Sequence, residues 1–177
     1  MFMRNGVGFR AIEEKDLDTI RALRNFPDTW IYLTDPSFIN ARQQLEWFRG
    51  KGSDGYYLAF EDKHEFPIAY EGDTLGVIRT DMDLGTSIRI GLDILPQHRN
   101  KGWGTKVYQA LFYYLFLHKN YHTAWLCVLD SNPRATHLYE KLGMRADGRL
   151  REHVWRDGKW NDYLIMTLTE GEYREKK

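Results

Sequence analysis

The stretch Ile88-Arg89-Ile90-Gly91-Leu92-Asp93-Ile94-Leu95-Pro96-Gln97-His98-Arg99-Asn100-Lys101-Gly102-Trp103-Gly104-Thr105 decides the fold. In its first half Ile88, Ile90, Leu92 and Ile94 alternate with Arg89, Gly91, Asp93 and Leu95. That period of two is a strand, and Pro96, which has no N–H to give a ladder, ends it. From Gly104 to Lys119 the period lengthens, with Val107, Leu111, Tyr114, Leu115 and His118 near one stripe of a helix. The turn between them is basic and glycine-containing. Glycines at 102 and 104 let a backbone approach a ligand closely, successive N–H groups point outward, and the helix start adds a positive partial charge. Arg99 and Lys101 add formal charge, so the segment suits a pyrophosphate. An ordinary glycine turn feeding a helix reads the same way locally, and the rest of the chain has to decide.

Toward the C-terminus, Thr123 to Leu129 reads as a short apolar strand and Asn132 to Leu142 as a helix stopped by Gly143. Two closing strands, roughly Met144 to Trp155 and Trp160 to Leu168, flank Asp157-Gly158, a dipeptide suited to the positive φ angles of a tight hairpin. Arg174 to Lys177 reads as frayed. Toward the N-terminus, Leu17, Ile20 and Leu23 repeat at helical spacing until Pro27, and Asn40 caps a second helix with Ala41, Leu45 and Phe48 on one face, closed by Gly50 and Gly52. Phe26 to Ile39 between them reads as an ordered loop. Tyr56 to Phe60, Pro67 to Tyr70 and Thr74 to Thr80 read as the strands of a meander.

The 177 residues suit a single domain spanning 1–177. Lys and Arg number 25, and Asp and Glu also 25, which removes the field expected of a nucleic-acid or anionic-membrane binder. The longest uncharged apolar run, Val107 to His118, is too short to span a bilayer. Met1 to Arg10 lacks the apolar stretch of a signal peptide, and Cys127 is the only cysteine, so no internal disulfide or thiolate metal cluster is expected and the expected compartment is the cytoplasm. Aromatic residues make up 15% of the chain, enough either to thicken a core or to line a cleft or a dimer interface.

Two motifs in order carry a resemblance. Leu92-Asp93-Ile94-Leu95-Pro96 followed by Arg99-Asn100-Lys101-Gly102-Trp103-Gly104 resembles the acyl-CoA-binding motif of the GNAT superfamily, and Asn132-Pro133-Arg134-Ala135-Thr136-His137-Leu138-Tyr139-Glu140-Lys141-Leu142-Gly143-Met144 resembles its second signature. The resemblance implies an α/β (α+β) fold: a central mixed, mostly antiparallel, splayed sheet of about seven strands flanked by about four helices. It also implies acetyl-CoA as cosubstrate, no metal, and acetyl transfer to a primary amine, with a homodimer compatible. Pantetheine would lie in a gap between the strand ending at Pro96 and the one ending near Asp130. Ile94 and Leu95 would pair with it, residues Arg99, Asn100, Lys101, Gly102, Trp103, Gly104 and Thr105 would hold the pyrophosphate, and Asn132 would cap its helix and bond the coenzyme arm. Tyr139 would protonate the departing thiolate. A helix tyrosine packed in the core is the alternative.

Amine attack needs a neutral nitrogen, yet a free alkylammonium has a pKa near ~10, so something must take its proton. Some family members place a glutamate where this chain has Cys127. Asp93 is the leading substitute, with His153 and Glu152 behind it, and each also reads as a solvated strand residue. The tail Leu150 to Asp162 and the Leu23-Arg24-Asn25 opening look like the RimJ/RimL-type branch, whose acceptors include ribosomal-protein N-termini, polyamines and amino groups on sugar nucleotides. An amino-sugar nucleotide leads among small-molecule acceptors; a protein N-terminus, a lysine, a polyamine, or an acyl-CoA-binding module without turnover are the alternatives. Trp30, Tyr32 and Trp155 are the expected acceptor contacts, with the Phe26 to Ile39 loop facing the Trp155 to Trp160 hairpin.

Overall fold

The computed structural model describes residues 1–33, 35–51, 55–61, 73–82 and 85–176. Among the described residues eight strands run in the order β1-β2-β3-β4-β5-β6-β8-β7. They are β1 (Phe2–Arg4), β2 (Val7–Ala11), β3 (Tyr56–Glu61), β4 (Thr74–Met82), β5 (Ser87–Ile94), β6 (Thr123–Leu129), β7 (Arg145–Arg156) and β8 (Lys159–Thr169). The described helices are α1 (Leu17–Asn25), α2 (Pro27–Trp30), α3 (Ala41–Lys51), α4 (Trp103–Tyr113), α5 (Pro133–Leu142) and α6 (Glu170–Glu175). This is the GNAT fold, and the eight strands and six helices among the described residues are close to the expected sheet of about seven strands flanked by about four helices. The chain forms two compact units.

The first unit comprises Met1–Phe26, Phe38–Thr80 and Gly91–Leu111. β1 and β2 lie outside the strands expected from the sequence. Asn5 and Gly6 turn between them with φ of 53° and 75°, the mirror-image turn that asparagine and glycine favour. β3 pairs antiparallel with β2 and β4. Ile12, Leu17, Ile20, Leu23, Leu58, Val77 and Leu95 form a buried cluster, against which Leu45, Trp47, Phe48 and Tyr56 pack. Under β2, the Arg10 guanidinium grips Asp16 at 2.6 and 2.8 Å, and Asp16 also accepts the Glu13 N–H. Asn40 and Gln43 exchange side-chain and backbone bonds at the start of α3, as a capping residue should. The helix runs through Gly50 rather than stopping at it. The strand expected at Pro67 to Tyr70 lies outside the described residues.

The second unit comprises Pro27–Ser37, Asp81–Ile90 and Phe112–Lys177. β5 and β6 run parallel, with a register of three pairs, Ser87↔Thr123, Ile88↔Ala124 and Arg89↔Trp125. β6 then pairs antiparallel with β8 along its whole length, and β8 with β7. Ala124, Leu126 and Val128 on β6 and Met166 and Leu168 on β8 are buried, as are Phe112, Leu115 and Phe116. The helix expected to reach Lys119 changes character: after Tyr113 it widens into a π-type turn, Tyr114–His118. Asp157 and Gly158 close the β7–β8 hairpin with φ of 49° and 74°, as their sequence requires. Past β8, Thr169 and Glu172 cap each other and start α6, which runs on through Arg174 and Glu175, the first two residues of the end expected to fray.

Candidate active site

In the first unit, β5 ends at Ile94 and the chain turns through a 3₁₀ turn, Pro96–His98, into the basic loop. Asn100 and Gly102 both hold left-handed conformations, φ 61° and 80°, and α4 begins at Trp103. A Cβ added at Gly102 would meet nothing within 4 Å, so backbone conformation, not crowding, calls for glycine there. The helix's first ladder bond runs from the Lys106 N–H to the Gly102 carbonyl, so the N–H groups of Trp103, Gly104 and Thr105 precede it and carry the exposed positive end of the helix. Lys101 is exposed, and the Lys106 ammonium lies 4.6 Å from the Trp103 ring centroid.

Two expected contacts already have protein duties. The Arg99 Nε donates to the Ile94 carbonyl at 3.0 Å and its guanidinium lies 5.4 Å from the Phe26 ring, so Arg99 braces the loop as well as charging it. The Leu95 N–H donates to the Leu75 carbonyl at 2.9 Å. Asp93 pairs with Arg79 at 2.9 Å through Oδ2. Gly91 allows this, since a Cβ there would approach the Arg79 guanidinium to 3.2 Å. Arg79 escaped the sequence reading because a cross-strand pair leaves no mark in either strand alone.

In the second unit, the Asn132 side chain accepts the Ala135 N–H at 3.2 Å and caps α5. Gly143 ends that helix at φ 100°, where a Cβ would strike the Lys176 ammonium. Tyr139 sits in the penultimate turn and is half-buried, and no residue of α5 is fully buried. Cys127 is half-buried on β6; burial pushes its thiol up, and Arg89 offsets this only in part.

The β7–β8 hairpin carries Trp155 and Trp160 as a directly opposed, edge-to-face pair with centroids 5.4 Å apart, 52% and 56% exposed. Arg156 Nη2 donates to the Leu33 carbonyl at 2.7 Å, joining the hairpin to the segment that bears Trp30 and Tyr32. Trp30 donates its indole N–H to the Pro36 carbonyl, while Tyr32 is 44% exposed. Nearer the middle of the hairpin, β7 departs from register between Leu150 and Val154. Glu152 takes φ 48° there and gives its N–H to Asp162, which also receives Arg149 at 2.8 Å. Arg149, Leu150, Arg151, Glu152, His153 and Asp162 line a surface concavity.

Residues 7–145, which hold the strand, the left-handed glycine loop, the helix start and the asparagine-capped helix bearing Tyr139, match the model of a family described as an acetyltransferase (GNAT) domain. The chain belongs to the GNAT acetyltransferase family. It is thereby an acyltransferase, and GNAT enzymes use acetyl-CoA as cosubstrate. It is 24% identical over 173 residues to spermidine N(1)-acetyltransferase of Escherichia coli strain K12, covering 96% of this chain and 89% of that enzyme. It is 32% identical over 80 residues to the spermidine N(1)-acetyltransferase of Vibrio cholerae, spanning 46% of that enzyme. Its fold superimposes on the crystal structure of spermidine N-acetyltransferase from Vibrio cholerae in complex with CoA and spermine, with TM-score 0.82, 23% identity and coverage of 96% and 98% of the two chains. A GNAT acetyltransferase structure from Bacillus anthracis superimposes with TM-score 0.82 at 19% identity. No group of three or more metal-binding side chains occurs among the described residues, and no helix there is long and apolar enough to cross a membrane.

Proposed function

We propose that this GNAT enzyme acetylates a primary amine of a small polyamine. The carrying observation is the full-length likeness to the Escherichia coli spermidine acetyltransferase. The resemblance to sugar-nucleotide enzymes lies in Arg24-Asn25 followed by a helix ending Glu46-Trp47-Phe48, and these residues have structural occupations: Asn25 donates to and accepts from the Ile39 backbone at 2.8 and 3.1 Å, and Trp47 and Phe48 pack against the core cluster of the first unit. The finer placement in the RimJ/RimL-type branch rests on the resemblance of Leu150 to Asp162 and of the Leu23-Arg24-Asn25 opening, and is carried as part of the proposal.

In this reading the loop from Arg99 to Thr105 holds the coenzyme pyrophosphate with backbone donors and the α4 dipole, and Asn132, Ile94 and Leu95 mark the course of its arm. Tyr139 gives its proton to the departing coenzyme A thiolate. Asp93, with one oxygen engaged by Arg79, takes the proton of the attacking amine as general base with the other. Trp155 offers an exposed aromatic face that suits an alkylammonium chain, and Trp30 and Tyr32 complete the acceptor side from the segment tied down by Arg156. Thiol release from acetyl-CoA, measured with spermidine, spermine, an amino-sugar nucleotide and a peptide amine, tests the proposal. A specificity constant for the polyamines at least tenfold above the others supports it; preference for the sugar nucleotide or the peptide overturns it.

A further inference from the structure

Pairing between β5 and β6 ends at Arg89↔Trp125, so beyond that point the strand that can brace Asp93 is β4, its neighbour on the other side. Two strand-interior glycines mark where the two strands meet. A Cβ on Gly76 of β4 would run into the Asp93 carbonyl oxygen and approach the Ile94 Cα to 3.0 Å. A Cβ on Gly91 of β5 would come within 3.2, 3.3 and 3.4 Å of the Arg79 Nη2, Nε and Cζ atoms. Glycine inside a strand costs backbone entropy and packs nothing, and it marks places where another group approaches closely. Here both approaches converge on Asp93.

The Arg79 guanidinium packs over Gly91 and reaches Asp93, two positions further on the same face of β5, with Nη2 2.9 Å from Oδ2. Two positions further again, Leu95 is buried in one cluster with Val77, the residue two before Arg79. The pair therefore sits at the margin of that core, and its side chains keep 32% and 24% of their surface open to solvent. A carboxylate at that depth is within reach of an incoming ligand. Left alone, an aspartate carboxylate turns broadly about its last torsion; an engaged Oδ2 removes that freedom and holds Oδ1 in one place.

We propose that Arg79 is the positioning residue of the general base: seated over Gly91, it holds the Asp93 carboxylate in one orientation and leaves Oδ1 for the amine proton. The inference rests on the reading of Asp93 as base given above, and Arg79 acts through Asp93 rather than on the amine. Orientation matters greatly to such a transfer. The base must come within about 2.6–3.2 Å of the atom that gives up the proton, and a misplacement of about 1 Å can cost on the order of 10²-fold in rate. The planar guanidinium suits the shallow space over a glycine, which the compact ammonium of a lysine fills less well.

A double-mutant cycle on kcat, run with whichever amine the enzyme uses best, tests this. Asp93→Asn removes the base and should lower kcat by about 10²–10⁴-fold. Arg79→Met should lower kcat by about 10–10²-fold with the acetyl-CoA KM unchanged, and Arg79→Lys should keep more of the rate. Gly91→Val leaves both charged residues in place and crowds the guanidinium, so it should act as Arg79→Met does. In an Asp93→Asn background neither change should cost anything further. An Arg79→Met enzyme of wild-type kcat beside an impaired Asp93→Asn overturns the inference alone. So does an Arg79→Met enzyme that loses thermal stability but not kcat, or a loss that persists in full in the Asp93→Asn background. Wild-type kcat in Asp93→Asn instead overturns the reading of Asp93 as base.

Discussion

Replacing Asp16 by asparagine keeps the shape of the side chain and removes the charge that answers Arg10. Both side chains are over nine-tenths buried, at 9% and 8% exposure, and the guanidinium meets both carboxylate oxygens. Removing one partner of such a pair leaves a buried charge uncompensated, which typically costs about 3–5 kcal/mol. Against a total stability of roughly 5–15 kcal/mol that is a large share, and for a chain of this size it lowers Tm by about 6–20 °C. The pH dependence adds a signature. Burial pushes the Asp16 carboxyl up, but the Arg10 hydrogen bonds, the Glu13 N–H and the charges of Arg10 and Lys15 together hold it below its usual value. A depressed acid contributes stability that is complete above its unfolded pKa of about 3.9 and is lost as pH falls through the folded value. Urea titrations from pH 7 down to pH 3 should therefore show wild type losing this contribution in the acid range, and Asp16→Asn lacking that slope. The double variant Arg10→Met, Asp16→Leu should recover most of the loss, since an apolar pair of similar volume leaves no stranded charge. A loss under about 1 kcal/mol in Asp16→Asn, or no recovery in the double variant, would refute the argument.

Gly102→Val forces a β-branched residue into φ 80° where space is open, so calorimetry should show acetyl-CoA affinity falling at least tenfold through backbone strain alone. Tyr139→Phe should lower kcat by about 10²–10⁴-fold while changing the acetyl-CoA KM little, as steady-state kinetics can establish. Cys127, its thiol pushed up by burial, should react with a disulfide reagent at pH 7 more slowly than a free cysteine, and denaturation should abolish the difference.

The parts of the site legible in the sequence are those written in local backbone chemistry. Gly102 and Gly143 declare left-handed turns, Asn132 a helix cap and Asp157-Gly158 a tight hairpin, because each constraint lies within a few residues of chain. Asn5-Gly6 carried the same signal, and its flanking strands were passed over only because three residues of β1 are too few to show a period. What could not be read is what two strands make together. Arg79 answers Asp93 from a neighbouring strand, and the β7 irregularity that turns His153 toward Tyr163 exists only relative to β8. The turn Tyr114–His118 stayed hidden because π and α turns share nearly the same apolar stripe over five residues.

The bond from Arg156 to Leu33 joins residues 123 positions apart, and this bears on the order in which the protein assembles. Closing a free chain loop of that length costs on the order of 4 kcal/mol by the logarithmic law, more than the roughly 1.5–3 kcal/mol that a charged donor returns. The contact therefore forms only after the intervening strands have already shortened the loop, and it is among the first to open when they loosen. Amide exchange should find the segment around Leu33 opening well below the global unfolding free energy, so that the stretch bearing Trp30 and Tyr32 closes last and yields first.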